Sequence, residues 1–157
     1  MISRSFGSTG LRETIGCHLT DGGCGQTITT STATTVTFDT ERYDTDSMHD
    51  PCCNPDRITI NTAGKYIFHV NISWGSNSSR ERYVSIRLNG GVFIVSELAE
   101  APAGAITPNS NQNIYTVWDC AADDYFEVRV FQTSGGNLDI LNVDKYSPEF
   151  SAILIGT

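Results

Sequence analysis

The run Gly64-Lys65-Tyr66-Ile67-Phe68-His69-Val70-Asn71-Ile72-Ser73-Trp74 restricts the fold more than any other stretch of this chain. Tyr66, Phe68, Val70, Ile72 and Trp74 take every second position, and Lys65, Ile67, His69, Asn71 and Ser73 lie between them. That alternation predicts one long strand with a buried face and a partly polar one. At a helical period the same five side chains would be scattered around the circumference. Thr62-Ala63-Gly64 before it and Gly75-Ser76-Asn77-Ser78-Ser79 after it are turn-forming sequences that bracket the strand. So aromatic a strand belongs in the middle of a sheet, under a second layer.

The rest of the chain reads in the same way. Thr34-Thr35-Val36-Thr37-Phe38 and Arg57-Ile58-Thr59-Ile60-Asn61 are short β-branched runs. Residues 82–88 alternate with Val84, Ile86 and Leu88 on one face, and Asn89-Gly90-Gly91 turns the chain back into residues 92–98, a hairpin. Residues 99–111, with Pro102, Gly104 and Pro108, are expected as a loop. Residues 114–119 and 125–132 are expected as a second hairpin around Ala121-Ala122-Asp123-Asp124. Two further strands follow, residues 138–143 and 150–155, and the last is apolar on nearly both sides. About nine closely spaced strands with no helix predict an all-β antiparallel two-sheet sandwich or jelly roll. A terminal strand apolar on both faces predicts cover on both, and therefore a subunit interface.

At 157 residues the chain has room for one domain and a short arm. Residues 1–33 are rich in Gly, Ser and Thr with weak periodicity, and are read as an extended N-terminal arm, leaving 34–157 as the domain. Charge is uneven: residues 1–33 sum to zero, 34–56 to −5, 57–98 to +3 and 99–157 to −6, for a net −8. With no basic stripe to neutralise phosphates, nucleic acid is not an expected partner. No apolar run is long enough to span a membrane. Met1-Ile2-Ser3-Arg4-Ser5-Phe6-Gly7 lacks the apolar core of a secretion signal, so synthesis in the cytoplasm without Sec-type secretion is expected.

Val36-Thr37-Phe38-Asp39, Tyr43-Asp44, Ala63-Gly64-Lys65-Tyr66-Ile67-Phe68, Ile86-Arg87-Leu88-Asn89-Gly90, Ala121-Ala122-Asp123-Asp124-Tyr125-Phe126-Glu127-Val128 and Phe150-Ser151-Ala152-Ile153-Leu154-Ile155-Gly156 follow one another in an order and spacing that resemble the tumour necrosis factor-like superfamily, in particular the C1q-like head. The resemblance covers about residues 34 to 157. It implies a ten-strand jelly roll that forms a homotrimer about an apolar axis, with strands 64–74, 125–132 and 150–155 in the inner sheet. The trimer-interface residues expected on that basis are Tyr66, Ile67, Phe68, His69, Phe126, Val128, Phe150, Ile153 and Ile155. A narrower likeness, in Phe38-Asp39-Thr40-Glu41-Arg42-Tyr43-Asp44-Thr45-Asp46-Ser47-Met48-His49-Asp50 followed by Ala63-Gly64-Lys65-Tyr66, is to a variant of this fold found in bacteriophage virion proteins. The collagen-like Gly-X-Y stalk of complement relatives has no counterpart.

Candidate chemistry is sparse. Cys17, Cys24, Cys52, Cys53 and Cys120 make an odd count. Cys17 and Cys24 could close a loop or reach Cys52 or Cys53, and the alternative is a set of free thiols. Cys120 is expected as a buried thiol. Zinc could draw on Cys17, His18 and Cys24 or on His49, Cys52 and Cys53, but neither set has the paired spacing of a structural site. The acidic loop is a weak calcium candidate through Asp39, Asp44 and Asp46, with a solvated acidic loop as the simpler reading. His69 is expected as an ordinary hydrogen-bonded histidine or a proton-sensitive group near the trimer axis. No nucleophile–base pair, zinc-protease motif or phosphate loop is present, so an enzyme is not expected, and neither is a cofactor.

The function expected is that of a bacteriophage virion structural protein. In this reading a trimeric capsid decoration, or cement, protein sits on the capsid surface and attaches to the major capsid protein or another virion protein through residues 1–33. The alternatives are a fibre head that binds a host receptor or glycan through loops 76–81 and 99–112, and a cellular bacterial binding module.

Overall fold

The computed structural model describes residues 14–23, 25–78, 80–100, 110–142 and 148–157. Twelve strands run through them: β1 (Gly16–Thr20), β2 (Gln26–Ile28), β3 (Thr34–Thr35), β4 (Thr40–Asp44), β5 (Arg57–Thr59), β6 (Gly64–Trp74), β7 (Glu81–Leu88), β8 (Val92–Glu100), β9 (Ser110–Cys120), β10 (Tyr125–Gln132), β11 (Leu138–Ile140) and β12 (Glu149–Gly156). All pairings are antiparallel. Seven strands make one sheet, in the order β2-β11-β6-β12-β1-β4 with β9 on the free side of β6, and five make the other, β3-β10-β7-β8 with β5 also on β10. This is the two-sheet jelly roll that the strand spacing predicts.

β6 is central, as its alternation requires. Tyr66, Phe68, Val70, Ile72 and Trp74 are fully buried between the sheets. Its eleven residues pair one for one with β9, from Gly64 opposite Cys120 to Trp74 opposite Ser110. At Gly64, β12 passes too close for a side chain: a Cβ there would meet the Gly156 carbonyl oxygen at 2.6 Å. Across the core, the Phe68 ring lies 4.3 Å from that of Phe126 and 6.4 Å from that of Phe150. The β7–β8 hairpin forms where Asn89-Gly90 predicts it, with both residues at positive φ (49° and 68°).

Three expectations are corrected by the topology. The N-terminal arm is not separate from the domain. β1 lies inside the seven-stranded sheet between β12 and β4, β2 caps β11, and Cys17, Leu19 and Ile28 are fully buried. Alternation over five residues, Gly16-Cys17-His18-Leu19-Thr20, is too short to stand out among Gly and Thr, yet long-range pairing captures it. The part of residues 1–33 ahead of Thr14 lies outside the described residues. Second, β9 and β10 are not a hairpin. β9 hydrogen-bonds to β6 and β10 to β7, so the 121–124 turn crosses from one sheet to the other. Asp124 anchors that crossing, its Oδ2 accepting from the Ala121 amide at 3.0 Å and its Oδ1 from Asn89 Nδ2 at 2.9 Å. Third, strand 125–132 therefore belongs to the five-stranded sheet and not to the sheet that contains β6 and β12. The predicted loop at 99–111 lies outside the described residues from 101 to 109, and its last two residues begin β9.

Candidate functional site: the outward face of the seven-stranded sheet

Directly paired residues in a sheet project to the same side, so the register fixes which side chains share a face. On the seven-stranded sheet, Val117, Ile67 and Ile153 form one outward row across β9, β6 and β12. Next to it run Tyr115, His69, Ser151, His18 and Tyr43, across β9, β6, β12, β1 and β4. A third row is polar: Asn113, Asn71, Glu149 and Thr20. Ile155 extends the apolar row toward the chain end, near Lys65 and Asp119, whose charged groups are 3.9 Å apart.

The rows interlock. The His69 ring stacks on Tyr115 at 4.5 Å and 16°, and the His18 ring meets Tyr43 edge-on at 6.0 Å. Glu149 accepts from Arg42 at 2.8 Å and lies 3.6 Å from His18 Nε2. Burial holds the His18 imidazole below its ordinary pKa and Glu149 opposes this, while Arg42 and His69 add to the lowering. Tyr115, Val117 and Ile155 are 60%, 53% and 57% exposed in a single chain. Exposed large apolar side chains gathered on one sheet face beside a polar row have the composition of a protein interface.

The trimer-interface set expected from the resemblance therefore divides by strand parity. Ile67, His69, Ile153 and Ile155 project outward. Tyr66, Phe68, Phe126, Val128 and Phe150 are fully buried within one chain and have no surface to offer a second copy. They are core residues, because even positions of β6 and β12 face the other sheet, and Phe126 and Val128 come from that other sheet and point inward. Tyr115, Val117, His18 and Tyr43 were not expected here. The alternation Ile114-Tyr115-Thr116-Val117-Trp118 could have revealed the first two once β9 was paired with β6 and not with β10.

The other candidates do not gather into a centre. Cys17, Cys52, Cys53 and Cys120 are free thiols, the first and last buried and the middle two exposed, and Cys24 lies outside the described residues. Burial raises the thiol pKa of Cys17 and pushes that of Cys120 up to about 12. Cys17 and His18 project to opposite faces of β1, so they cannot share a metal. His49 Nδ1 is 2.8 Å from Glu41 Oε1, and the exposed Cys52 and Cys53 lie on the following turn, where their amides donate to Asp50 Oδ1 at 2.9 and 3.1 Å. In the acidic loop, Asp44 accepts from the Asp46 and His49 amides (3.2 and 3.0 Å), and Asp39 accepts from the Gly22 amide and the Thr40 hydroxyl (2.5 and 2.9 Å). Those carboxylates serve as turn and bridge acceptors. Among the described residues, no three metal-ligating side chains converge.

No family model and no curated protein matches the sequence. Solved structures do match the fold. The globular domain of zebrafish complement 1qA aligns with a TM-score of 0.60 at 14% identity, over 91% of this chain and 98% of that one. Eiger TNF from S. frugiperda aligns at 0.65 and 12%, over 92% and 94%. Murine APRIL at pH 5.0 aligns at 0.65 and 12%, over 91% and all of that chain. The chain has the jelly-roll fold of the C1q and TNF domains.

Proposed function

We propose that three copies of this chain assemble through the outward face of the seven-stranded sheet, and that the trimer is a non-enzymatic structural head on the surface of a bacteriophage capsid. The assembly reading rests on one observation. Val117, Tyr115 and Ile155 stand more than half exposed beside Ile67 and Ile153 on a single sheet face rimmed by Asn113, Asn71, Glu149 and Lys65. A closed three-fold arrangement buries such a face on every copy and leaves no open edge for further growth. The virion reading is supported by the likeness of residues 38–50 and of Ala63-Gly64-Lys65-Tyr66 to phage proteins of this fold. Three linked contacts to major capsid protein subunits then hold through avidity, even where each contact is weak. With β1 and β2 in the core, the sequence ahead of Thr14 is the portion of the N-terminus left to act as a tether. Electron cryomicroscopy of the particle that carries this chain tests the reading. Three-fold density repeated over the head is the expected result. Density restricted to the tail supports a receptor-binding head instead, and a particle without the chain ends the virion reading.

A further inference from the structure

We propose that the outward face of the five-stranded sheet is a binding site for an acidic saccharide, with Arg129 and Arg87 holding the carboxylate and Tyr83, Phe93 and Phe131 receiving the ring. The site lies on the layer opposite the proposed trimer interface, so it does not depend on assembly. Register places three outward rows across β8, β7 and β10. They are Phe93, Arg87 and Glu127; Ser96, Ser85 and Arg129; and Leu98, Tyr83 and Phe131. A groove of about 340 Å³ opens among Tyr83, Ser85, Phe93, Arg129 and Phe131, with Ala33 from the segment before β3 on its rim and Arg87 beside it against Phe93. That volume is near the lower end of the range for small-ligand sites and suits one or two sugar rings.

Two features identify the ligand chemistry. The first is charge. Arg57, Arg87 and Arg129 cluster at one end of this face around Glu127, while its other acids, the paired Glu81 and Glu100, lie at the far end beyond Tyr83 and Leu98. Arg57 is already engaged, with its guanidinium over the Tyr125 ring at 4.5 Å and its Nε 3.2 Å from Asp56. Arg87 and Arg129 each keep unused guanidinium donors. Arg87 Nη2 reaches the Gly91 carbonyl at 3.4 Å and its Nε is buried without a partner, while Arg129 Nη2 reaches the Ala33 carbonyl at 3.5 Å. Neither forms an ion pair among the described residues. A guanidinium fork with unused donors is matched to a carboxylate.

The second feature is shape. Tyr83 and Phe93 meet nearly at right angles (77°, 6.4 Å), and Arg87 lies 5.0 Å from the Phe93 ring. The result is an aromatic corner with a cation beside it, which accepts the C–H face of a sugar. An acidic peptide fits less well. β7 and β10 lie inside the sheet with their backbone groups already paired, so an extended peptide could join only at the free edge of β8, to one side of Arg129. The acidic chain as a whole also repels long polyanions such as nucleic acid.

The test is calorimetric titration of the full chain with tetragalacturonate, with maltotetraose as the neutral control and a tetraglutamate peptide as the alternative anion. Saturable binding of tetragalacturonate is expected, with maltotetraose at least tenfold weaker. Arg129→Gln and Phe93→Ser, both at surface positions, are each expected to lower affinity by at least tenfold while the melting temperature stays within a few degrees. Three results overturn the proposal: no saturable binding of tetragalacturonate, equal binding by Arg129→Gln, or tighter binding of tetraglutamate.

Discussion

Removing residues 1–33 is expected to unfold this protein, whereas removing residues 1–13 is not. β1 fills the gap between β12 and β4 with five paired residues on its β12 side, and β2 caps β11. The deletion strips out Leu19 and Ile28, both fully buried, worth about 1.5–3 kcal/mol each in removed apolar burial. It also leaves the β12 edge unpaired along Glu149 to Ile153, at about 1 kcal/mol for each net hydrogen bond lost. Together these losses match the roughly 5–15 kcal/mol by which a typical domain is stable. Far-ultraviolet circular dichroism and thermal melting of the two truncations against the full chain read the difference directly. The 1–13 deletion should melt cooperatively near the full-length temperature, and the 1–33 deletion should show no cooperative transition. A 1–33 deletion that melts like the parent would refute the placement of β1 in the sheet.

Other expectations follow from the same geometry. Phe68→Ala, at the centre of the Phe126 and Phe150 cluster, should cost about 3–5 kcal/mol in denaturant unfolding, and Ile67→Ala on the outward face should cost a dilute single chain much less. Equal losses would contradict the assignment of inward and outward faces. Stability should decline on both sides of a neutral plateau. Below pH 6.5 the unfolded chain binds a proton that buried His18 resists, and above pH 9 it releases protons that the buried Cys17 and Cys120 thiols retain. Melting temperatures measured from pH 4 to pH 10 check both limbs, and removal of the acid limb by His18→Gln assigns it. Adding millimolar calcium should leave the melting temperature unchanged, because Asp39 and Asp44 already accept protein hydrogen bonds; a rise of several degrees would mean a site exists.

The fold was legible wherever a strand was long enough for its alternation to exceed chance. β6 could be read residue by residue, and the β7–β8 hairpin followed from Asn89-Gly90. Short strands were opaque. β1 has five residues and β2 three, and their burial comes from partners more than a hundred positions away, β12 and β11, which no local pattern encodes. The same limit explains the β9–β10 error. A four-residue turn between two strands reads as a hairpin by default, and only tertiary pairing shows that Ala121-Ala122-Asp123-Asp124 crosses between sheets. Five of the nine residues expected at a trimer interface are core residues for a related reason. Aromatic content marked the strands near the expected axis, but parity decides which side chains face solvent, and the largest rings, Tyr66, Phe68, Phe126 and Phe150, face the core.

Whether three copies join through the outward face can be read by sedimentation-velocity ultracentrifugation at micromolar concentration, on the full chain and on Val117→Arg. Val117 is 53% exposed and lies on edge strand β9 at one end of the outward apolar row, so the substitution leaves the core of one chain intact and puts an unpaired charge into the proposed contact. The parent should sediment with the mass of three 17.1 kDa chains and Val117→Arg as a folded single chain. A parent that sediments as one folded chain, or a variant that stays trimeric, would contradict assembly through this face.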